Sequence, residues 1–303
     1  MHFARTEEQQ ELAATVRSLL ARRSDSGSVR AAIETPEGYD TALWRALCEQ
    51  VGVAALPIPE EYDGFGASLV ETAVVLEELG HNLTPVPLLA CTLAAVDLLL
   101  HGSEDARKEL LPELAAGKVV PFALGSVVLE PEAAAGAMDQ TIRLALLDPP
   151  QEPAGDVHAI SVALVSALQV GAMQRALDMT VAYTKERVQF GRPIGSFQAL
   201  KHRMADMLVL LEASRSASWG ATAAAAAYLA EPDDAQRALL RRRAAVAGSY
   251  CSDALDRIAG ETVQLHGGIA ITWEHDAQLL FKRAHTLSQL NGPAHRHRAA
   301  LLS

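Results

Sequence analysis

Two short blocks in the second half of the chain combine a long polar side chain with glycines. Arg187 precedes the glycine-containing block 191–198, and a guanidinium can bind an anionic group through two parallel N–H donors. Gln264 precedes Gly267 and Gly268, where the missing Cβ atoms let a bound group approach the backbone. The alternative is that Arg187 pairs with a carboxylate and that the two glycines only end a helix.

The C-terminal histidines and the cysteines show no pattern that would bind a metal. His295 and His297 are two residues apart, so a helix does not place them on one face, and no carboxylate is spaced to complete a site. The cysteines are far apart and lack CxxC spacing, which predicts reduced, structural thiols. They are Cys48, Cys91 and Cys251.

The composition argues against several classes of function. The chain has 303 residues and a formal net charge of −11, whereas a nucleic-acid-binding protein needs a basic face. No apolar run approaches the roughly 18 to 20 residues that cross a bilayer, and the N-terminus lacks the features of a secretory signal. We therefore expect a cytoplasmic protein that binds neither nucleic acid nor membrane.

The first part of the chain is predicted to be helical. Thr6 and Gln9 match a capping box, a later helix is predicted to end at Gly80, and acidic residues after Ser103 favour another helix start. The next stretch contains several prolines and three strand-like segments, which are too few for an independent domain. These segments are 122–124, 126–129 and 141–147.

The last part of the chain is predicted to form long, alanine-rich helices, whose small side chains permit close antiparallel packing in a four-helix bundle. One of these helices is predicted to carry an apolar stripe that includes Leu208. Another begins at Asp233 and ends at Gly267, and a last full helix covers 274–290. The predicted units are an N-terminal helical domain, a reduced β segment and a C-terminal bundle, at 1–120, 121–157 and 158–303.

Several blocks of this sequence resemble the acyl-CoA dehydrogenase family. The arginine, Phe-Gly pair and glutamine within 187–198 resemble a signature of that family, and 264–268 resembles its second flavin-contacting turn. Blocks at 59–64 and 77–80 match its N-terminal helical domain, and all of them follow the family's order across most of the chain. The resemblance implies a mainly α, acyl-CoA dehydrogenase-like fold with a much reduced middle β segment.

The resemblance also implies a cofactor site that two subunits share. The family binds FAD, and the equivalents of Arg187, Phe190, Gln264 and Gly268 reach across a subunit interface to the flavin of a neighbour. Gly267 belongs to the same turn and is predicted to contact the cofactor with them.

Two departures from the family pattern concern the catalytic apparatus. Most of the family's middle β-domain, which holds the flavin ring, is missing between 122–125 and 138–145; either the domain is reduced or the sequence omits a stretch. The usual catalytic glutamate is replaced by Asn291, and the alternative position used by some relatives is occupied by Ser161. An amide has no basic oxygen near neutral pH, so Asn291 cannot act as the general base.

These departures predict a subunit that needs a partner. The closest resemblance is to the non-catalytic subunit of bacterial heteromeric α₂β₂ enzymes that degrade steroid side chains. The prediction is an FAD-dependent desaturation of an acyl-CoA thioester, with FAD shared with a homologous subunit that carries the glutamate. Two alternatives are an active homomeric dehydrogenase with a displaced base and a non-redox subunit that binds acyl-CoA or acts as a scaffold.

Overall fold

The structure, a computed structural model, describes residues 5–130, 138–149 and 155–302, and it is mainly helical within those ranges. Six helices precede the strands of the middle segment and five follow them. The first six are α1 (Glu7–Arg23), α2 (Ser26–Ile33), α3 (Thr41–Ala46), α4 (Leu69–Asn82), α5 (Leu88–His101) and α6 (Glu104–Ala115). The other five are α7 (Gly155–Glu186), α8 (Gln198–Ala230), α9 (Asp234–His266), α10 (Ala277–Gln289) and α11 (Ala294–Ala300).

Polar caps start several of these helices at the residues that the sequence indicated. The Thr6 hydroxyl accepts from the Gln9 amide N–H at 3.3 Å, and the Gln9 side chain accepts from the Thr6 N–H at 3.0 Å, which completes a capping box. Single side-chain caps start two more helices, with Ser103 capping α6 and Asp233 capping α9. Each cap satisfies a backbone donor that the first turn of a helix leaves free.

The middle segment contains one small antiparallel sheet in the described residues, in the order β1, β2, β3. The three strands agree with the predicted segments, although the second and third are shorter than expected. They are β1 (Phe122–Leu124), β2 (Val127–Leu129) and β3 (Leu144–Leu146). A two-stranded ribbon also follows α7, formed by β4 (Val188–Gln189) and β5 (Arg192–Pro193).

A buried arginine attaches the middle segment to the bundle. The Arg283 side chain on α10 is 2% exposed, and it donates to the Thr141 hydroxyl at 2.8 Å and to the Thr141 carbonyl at 2.6 Å. Asp139, 1% exposed, lies 3.7 Å from Arg283 Nε and also accepts from the Thr141 N–H. Such a small sheet has little core of its own, so this ion pair and its hydrogen bonds help to fix it to α10.

Helix α7 lies at the centre of the bundle and packs against α4, α8 and α9. By length and composition it could cross a bilayer, contrary to the expectation that no segment is apolar enough. However, 89% of its apolar window is buried inside the protein, as is typical of a core helix. The hydrophobic surface of α7 is therefore already covered by the protein itself.

Gly80 does not end a helix, so that prediction was wrong. Helix α4 continues to Asn82, and Leu83 adopts the left-handed conformation at its C-terminus. A Cβ built on Gly80 would overlap the backbone of Leu168 on α7, and one on Gly171 would overlap the backbone of α4. Glycine is needed here for the close approach of two helices rather than for a chain reversal.

Two further predictions about the bundle need correction. Leu208 is 47% exposed, so it lies outside the buried stripe of α8, whereas Met207 and Leu211 are buried. The predicted helix at 274–290 is the shorter α10, and the chain then turns at Gly292 into α11. The prediction of a mainly α chain with long C-terminal helices and a reduced β segment is confirmed.

Candidate functional site

The two glycine-containing blocks lie at the same end of the bundle, because α7 and α9 finish side by side. The Tyr183 and His266 rings are stacked with centroids 4.4 Å apart, and the Thr180 hydroxyl contacts the Thr262 hydroxyl at 3.2 Å. Tyr183 is four residues before Arg187, and His266 directly precedes Gly267. The fold therefore brings together two blocks that are about 75 residues apart in sequence.

The loop after α7 presents its side chains to solvent. Arg187 is exposed, and its guanidinium makes no hydrogen bond or ion pair with any other residue in the described ranges. Phe190 is 92% exposed and has a left-handed backbone with φ of 54°. An unpaired guanidinium and an exposed aromatic ring on one loop form a surface that can bind a partner or a ligand.

The turn after α9 is equally open. Gly267 has φ of 65°, which a residue with a side chain rarely adopts. A Cβ built on Gly267 or Gly268 would meet no atom within 4 Å, and Gln264 is exposed on the last turn of α9. An exposed guanidinium, an exposed amide and an open glycine turn are donors suited to a dinucleotide that approaches from outside the chain.

The residues at the two expected base positions contact each other. The Ser161 hydroxyl on α7 donates to Asn291 Oδ1 at 3.1 Å, although 130 residues separate them. Ser161 is fully buried and Asn291 is 6% exposed. Neither side chain is a carboxylate, so neither can remove a proton from carbon at neutral pH.

Comparisons with known proteins identify the family of this chain. The family model described as acyl-CoA dehydrogenase, N-terminal domain, matches residues 6–118, and the C-terminal domain model matches residues 160–302. The chain belongs to the acyl-CoA dehydrogenase family. It is 46% identical to acyl-CoA dehydrogenase IpdE2 of Mycolicibacterium smegmatis over an alignment of 319 positions, gaps included, which covers 95% of this chain and 96% of the relative. The identity with IpdE2 of Mycobacterium tuberculosis is 44%, over 94% of this chain and 93% of the relative.

Solved structures confirm the acyl-CoA dehydrogenase-like fold. The ChsE4–ChsE5 complex of Mycobacterium tuberculosis contains a chain that matches with a TM-score of 0.81 and 24% identity, over 99% of this chain and 97% of that one. A variant of the Tcur3481–Tcur3483 steroid ACAD matches with a TM-score of 0.81 and 23% identity, over 97% and 96% of the two chains. Since the alignment with the first IpdE2 covers nearly all of both chains, it runs through the short middle segment as well.

Two histidines, neither of them predicted to act in catalysis, lie next to the predicted base position at Asn291. His158 Nε2 donates to the Asn291 backbone carbonyl at 3.3 Å, and the His297 ring lies close to Gly248 on α9. Burial lowers the pKa of both histidines, and the proximity of His158 lowers the pKa of His297 further. The predicted base position is thus a buried cluster in which a neutral imidazole is favoured.

Two cavities border this cluster, but neither is lined by the residues at the two expected base positions. A cavity of about 430 Å³ is lined by His158 and β1 residues, and another of about 610 Å³ is lined by Leu290, Gly292 and Pro293. Neither Ser161 nor Asn291 lines either of them. Although both cavities border the cluster, the two side chains themselves are sealed from them.

Carboxylates elsewhere in the bundle do not replace the base. Glu261 accepts from Arg203 at 2.5 Å and Glu212 is paired with Arg215, so both are held in surface ion pairs. Glu130, at the end of β2, is an unexpected buried carboxyl whose Oε2 has no hydrogen bond in the described structure. Burial raises the pKa of Glu130 to about 7. Its cavity, of about 40 Å³, is lined by residues that include neither expected base position.

The cysteines behave as buried thiols. None of them forms a disulfide in the described structure, and burial raises the pKa of each to about 12. A thiol with such a pKa carries almost no thiolate near neutral pH, which makes it a poor nucleophile and metal ligand. Within the described ranges, no group of three or more histidine, cysteine or acidic side chains could hold a metal ion.

Proposed function

We propose that this chain is the non-catalytic, cytoplasmic subunit of a heteromeric FAD-dependent acyl-CoA dehydrogenase. Its partner is a homologous subunit that carries the catalytic glutamate, assembled with it as α₂β₂. The observation that carries this proposal is the hydrogen bond between Ser161 and Asn291. These two side chains occupy both positions at which the base is expected, and neither has a basic oxygen.

The chain contributes one wall of the partner's cofactor site. Arg187 binds the pyrophosphate, Gln264 donates or accepts a hydrogen bond, and the Gly267–Gly268 backbone approaches the dinucleotide without a Cβ in the way. Phe190 covers the same site from the loop. When bound, the flavin supplies the acceptor for two electrons. The exposure of all these groups at one end of the bundle supports a role that is completed by another subunit.

Apolar side chains around this end of the bundle support burial against a partner. Phe190 is 92% exposed, Ile271 is 77% exposed and Trp273 is 61% exposed. Large apolar side chains that cluster near a ligand-binding surface are typical of subunit interfaces. In the assembled enzyme, these side chains exclude water from the cofactor site.

The reaction we propose is the α,β-desaturation of an acyl-CoA thioester. The partner's glutamate would take the proton from the α-carbon, and the hydride from the β-carbon would pass to the flavin as the two-electron acceptor. A steroid-derived acyl-CoA is the proposed substrate class, because one of the structural neighbours is described as a steroid ACAD. An active homomeric enzyme receives less support, since Glu212 and Glu261 are held in ion pairs and the cavity beside Glu130 is lined by neither expected base position.

Co-expression with a homologous acyl-CoA dehydrogenase that carries the catalytic glutamate tests the proposal. The purified complex should have the native mass of an α₂β₂ tetramer and absorb near 450 nm, whereas the chain alone should be colourless and inactive. Arg187→Ala in this chain should weaken flavin retention at least tenfold, because a charge-assisted bidentate contact is lost. Arg242→Ala, which removes an exposed arginine from the first half of α9, is the matched control and should leave retention unchanged.

Two results would contradict the proposal. Oxidation of an acyl-CoA by the chain alone at ordinary rates would support the homomeric enzyme. A complex that forms normally and keeps its flavin equally well with Arg187→Ala would support a scaffold that makes no contact with the cofactor.

A further inference from the structure

Three aromatic rings lie directly beneath the exposed glycine turn. The His266 ring stacks on Tyr183 of α7 at a centroid distance of 4.4 Å and makes a tilted contact with His275 at 4.6 Å. Tyr183 and His275 also meet edge to face at 6.3 Å. His266 is 3% exposed, while Gly267 and Gly268, the next two residues, are exposed. The turn thus rests on a buried imidazole.

The hydrogen bonds of His266 fix the orientation of that ring. Nδ1 donates to the Thr262 carbonyl at 2.7 Å, one turn earlier in α9, so the proton of the neutral ring is on Nδ1. Nε2 is buried and has no hydrogen bond in the described structure. A ring that is held at one nitrogen, stacked on Tyr183 and in contact with His275 leaves little rotational freedom for the residue that begins the turn.

The far side of the stack is anchored by an acidic residue next to His275. Asp276 accepts from the Ser26 hydroxyl at 2.5 Å, from Arg30 at 2.9 Å and from Arg175 at 3.2 Å. Two of these donors are on α2 and the third is on α7, so the carboxylate joins three parts of the chain. Together, the Asp276 contacts and the ring stack fix both ends of the segment that contains Gly267 and Ile271.

We propose that His266 is a positioning residue for the cofactor: its neutral ring, stacked on Tyr183 and in contact with His275, sets the backbone of Gly267 and Gly268 for contact with the partner's flavin. This proposal rests on the proposed function, and it assigns to His266 an effect on the cofactor that acts through the turn and not by contact.

The surroundings of His266 make this role dependent on its charge. Facing the ring are the Tyr183 phenol, His275, and the carbonyls of Thr262 and Met179. The charges of Arg30, Arg175 and Asp276 lie on the far side of His275. Burial lowers the pKa of His266, and the nearby His275 lowers it further. The ordered turn is therefore more stable when the ring is neutral. This stabilisation is lost as the pH falls below about 6.5, the ordinary pKa of histidine.

The test compares three variants in the co-expressed complex by titrating FAD into the apo-complex and following flavin fluorescence. His266→Ala removes the ring, and flavin binding should weaken at least tenfold at pH 8. His266→Asn keeps a donor for Thr262 but removes the stack, and should weaken binding to a similar or smaller extent. His266→Phe keeps the stack and cannot be protonated, so binding at pH 8 should stay within about threefold of wild type.

The pH profile separates positioning from a general loss of structure. Wild-type complex should bind flavin more weakly as the pH falls from 7 to 5, and His266→Phe should show a smaller decrease over the same range. His101→Asn, an exposed position on α5, is the control and should follow wild type. Circular dichroism and the native mass of each complex should remain unchanged.

The outcomes distinguish this inference from the proposed function. If His266→Ala binds flavin as wild type does while Arg187→Ala does not, the positioning role is wrong and the shared cofactor site stands. If His266→Phe reproduces the loss seen with Ala and retains the full pH dependence, the positioning role is also overturned. If neither Arg187→Ala nor His266→Ala changes flavin binding, the proposed function itself fails.

Discussion

Restoring a carboxylate at the family's base position should damage this chain and not activate it. Asn291 is 6% exposed and accepts a hydrogen bond from Ser161, so Asn291→Glu would place a carboxyl group in a buried site. Burial raises the pKa of a carboxyl by up to 3–5 units, and each unit corresponds to about 1.36 kcal/mol, or roughly 4–7 kcal/mol for the ionised form. A hydrogen bond from Ser161 to the charged group would offset about 1.5–3 kcal/mol. The expected net loss of stability is about 1–5 kcal/mol at pH 8.

The pH dependence identifies the cause of that loss. A carboxyl whose folded-state pKa is raised carries no penalty below its unfolded value, near 4.3, and the full penalty above its folded value. Urea unfolding of Asn291→Glu should therefore show a much smaller deficit at pH 5 than at pH 8. Asn291→Gln, which has the same length and no charge, should show a deficit that does not change with pH.

Two outcomes would refute this reasoning. A deficit for Asn291→Glu that is equal at both pH values would mean that the position is solvated or that packing alone explains the loss. Oxidation of an acyl-CoA thioester by the isolated Asn291→Glu chain would mean that this chain contains a complete flavin and substrate site of its own.

Three further predictions concern residues outside that position. Arg283→Met leaves Asp139 buried without its cation and should lower the free energy of unfolding by about 3–5 kcal/mol in urea titrations. Adding Asp139→Asn should restore most of that loss. If the second substitution restores nothing, the ion pair is not the cause. Burial raises the pKa of Glu130 to about 7 in the folded state, so wild type loses stability as the pH rises from 5 towards 7. The free energy of unfolding of Glu130→Gln should therefore rise by about 3 kcal/mol relative to wild type between pH 5 and pH 8. Equal pH profiles would contradict this. Gly171→Ala should lower the thermal midpoint through a loss of about 1–3 kcal/mol, whereas Gly260→Ala, where a Cβ meets nothing within 4 Å, should not.

The parts of the fold that could be predicted are those that depend on local chemistry. The capping box at Thr6, the cap at Asp233 and the end of α9 before Gly267 each depend on neighbours within a few residues. Gly80 was misassigned because a glycine that ends a helix and one that admits another backbone look the same in sequence. Only the position of Leu168, on a distant helix, decides between the two.

Only the residues of the candidate site that belong to family motifs could be predicted from the sequence. The blocks at Arg187 and Gln264 were recognised, and the structure brings the ends of their helices together, but their contact with a flavin remains a prediction. The structural roles of His158 and His266 depend on partners more than 80 residues away, at Asn291 and Tyr183. A single sequence gives no signal for such pairs, because a buried histidine and a solvated one have the same local pattern.

The glycine-mediated contact between α4 and α7 has a consequence for how the molecule unfolds. Gly80 and Gly171 let these helices approach at backbone distance, and one apolar core extends from α1 and α4 through α7 to α10. The two helical halves, although matched by separate family models, are therefore expected to melt in a single cooperative transition. Neither half should persist as a stable fragment after proteolysis between them, because each would expose the face that the other covers.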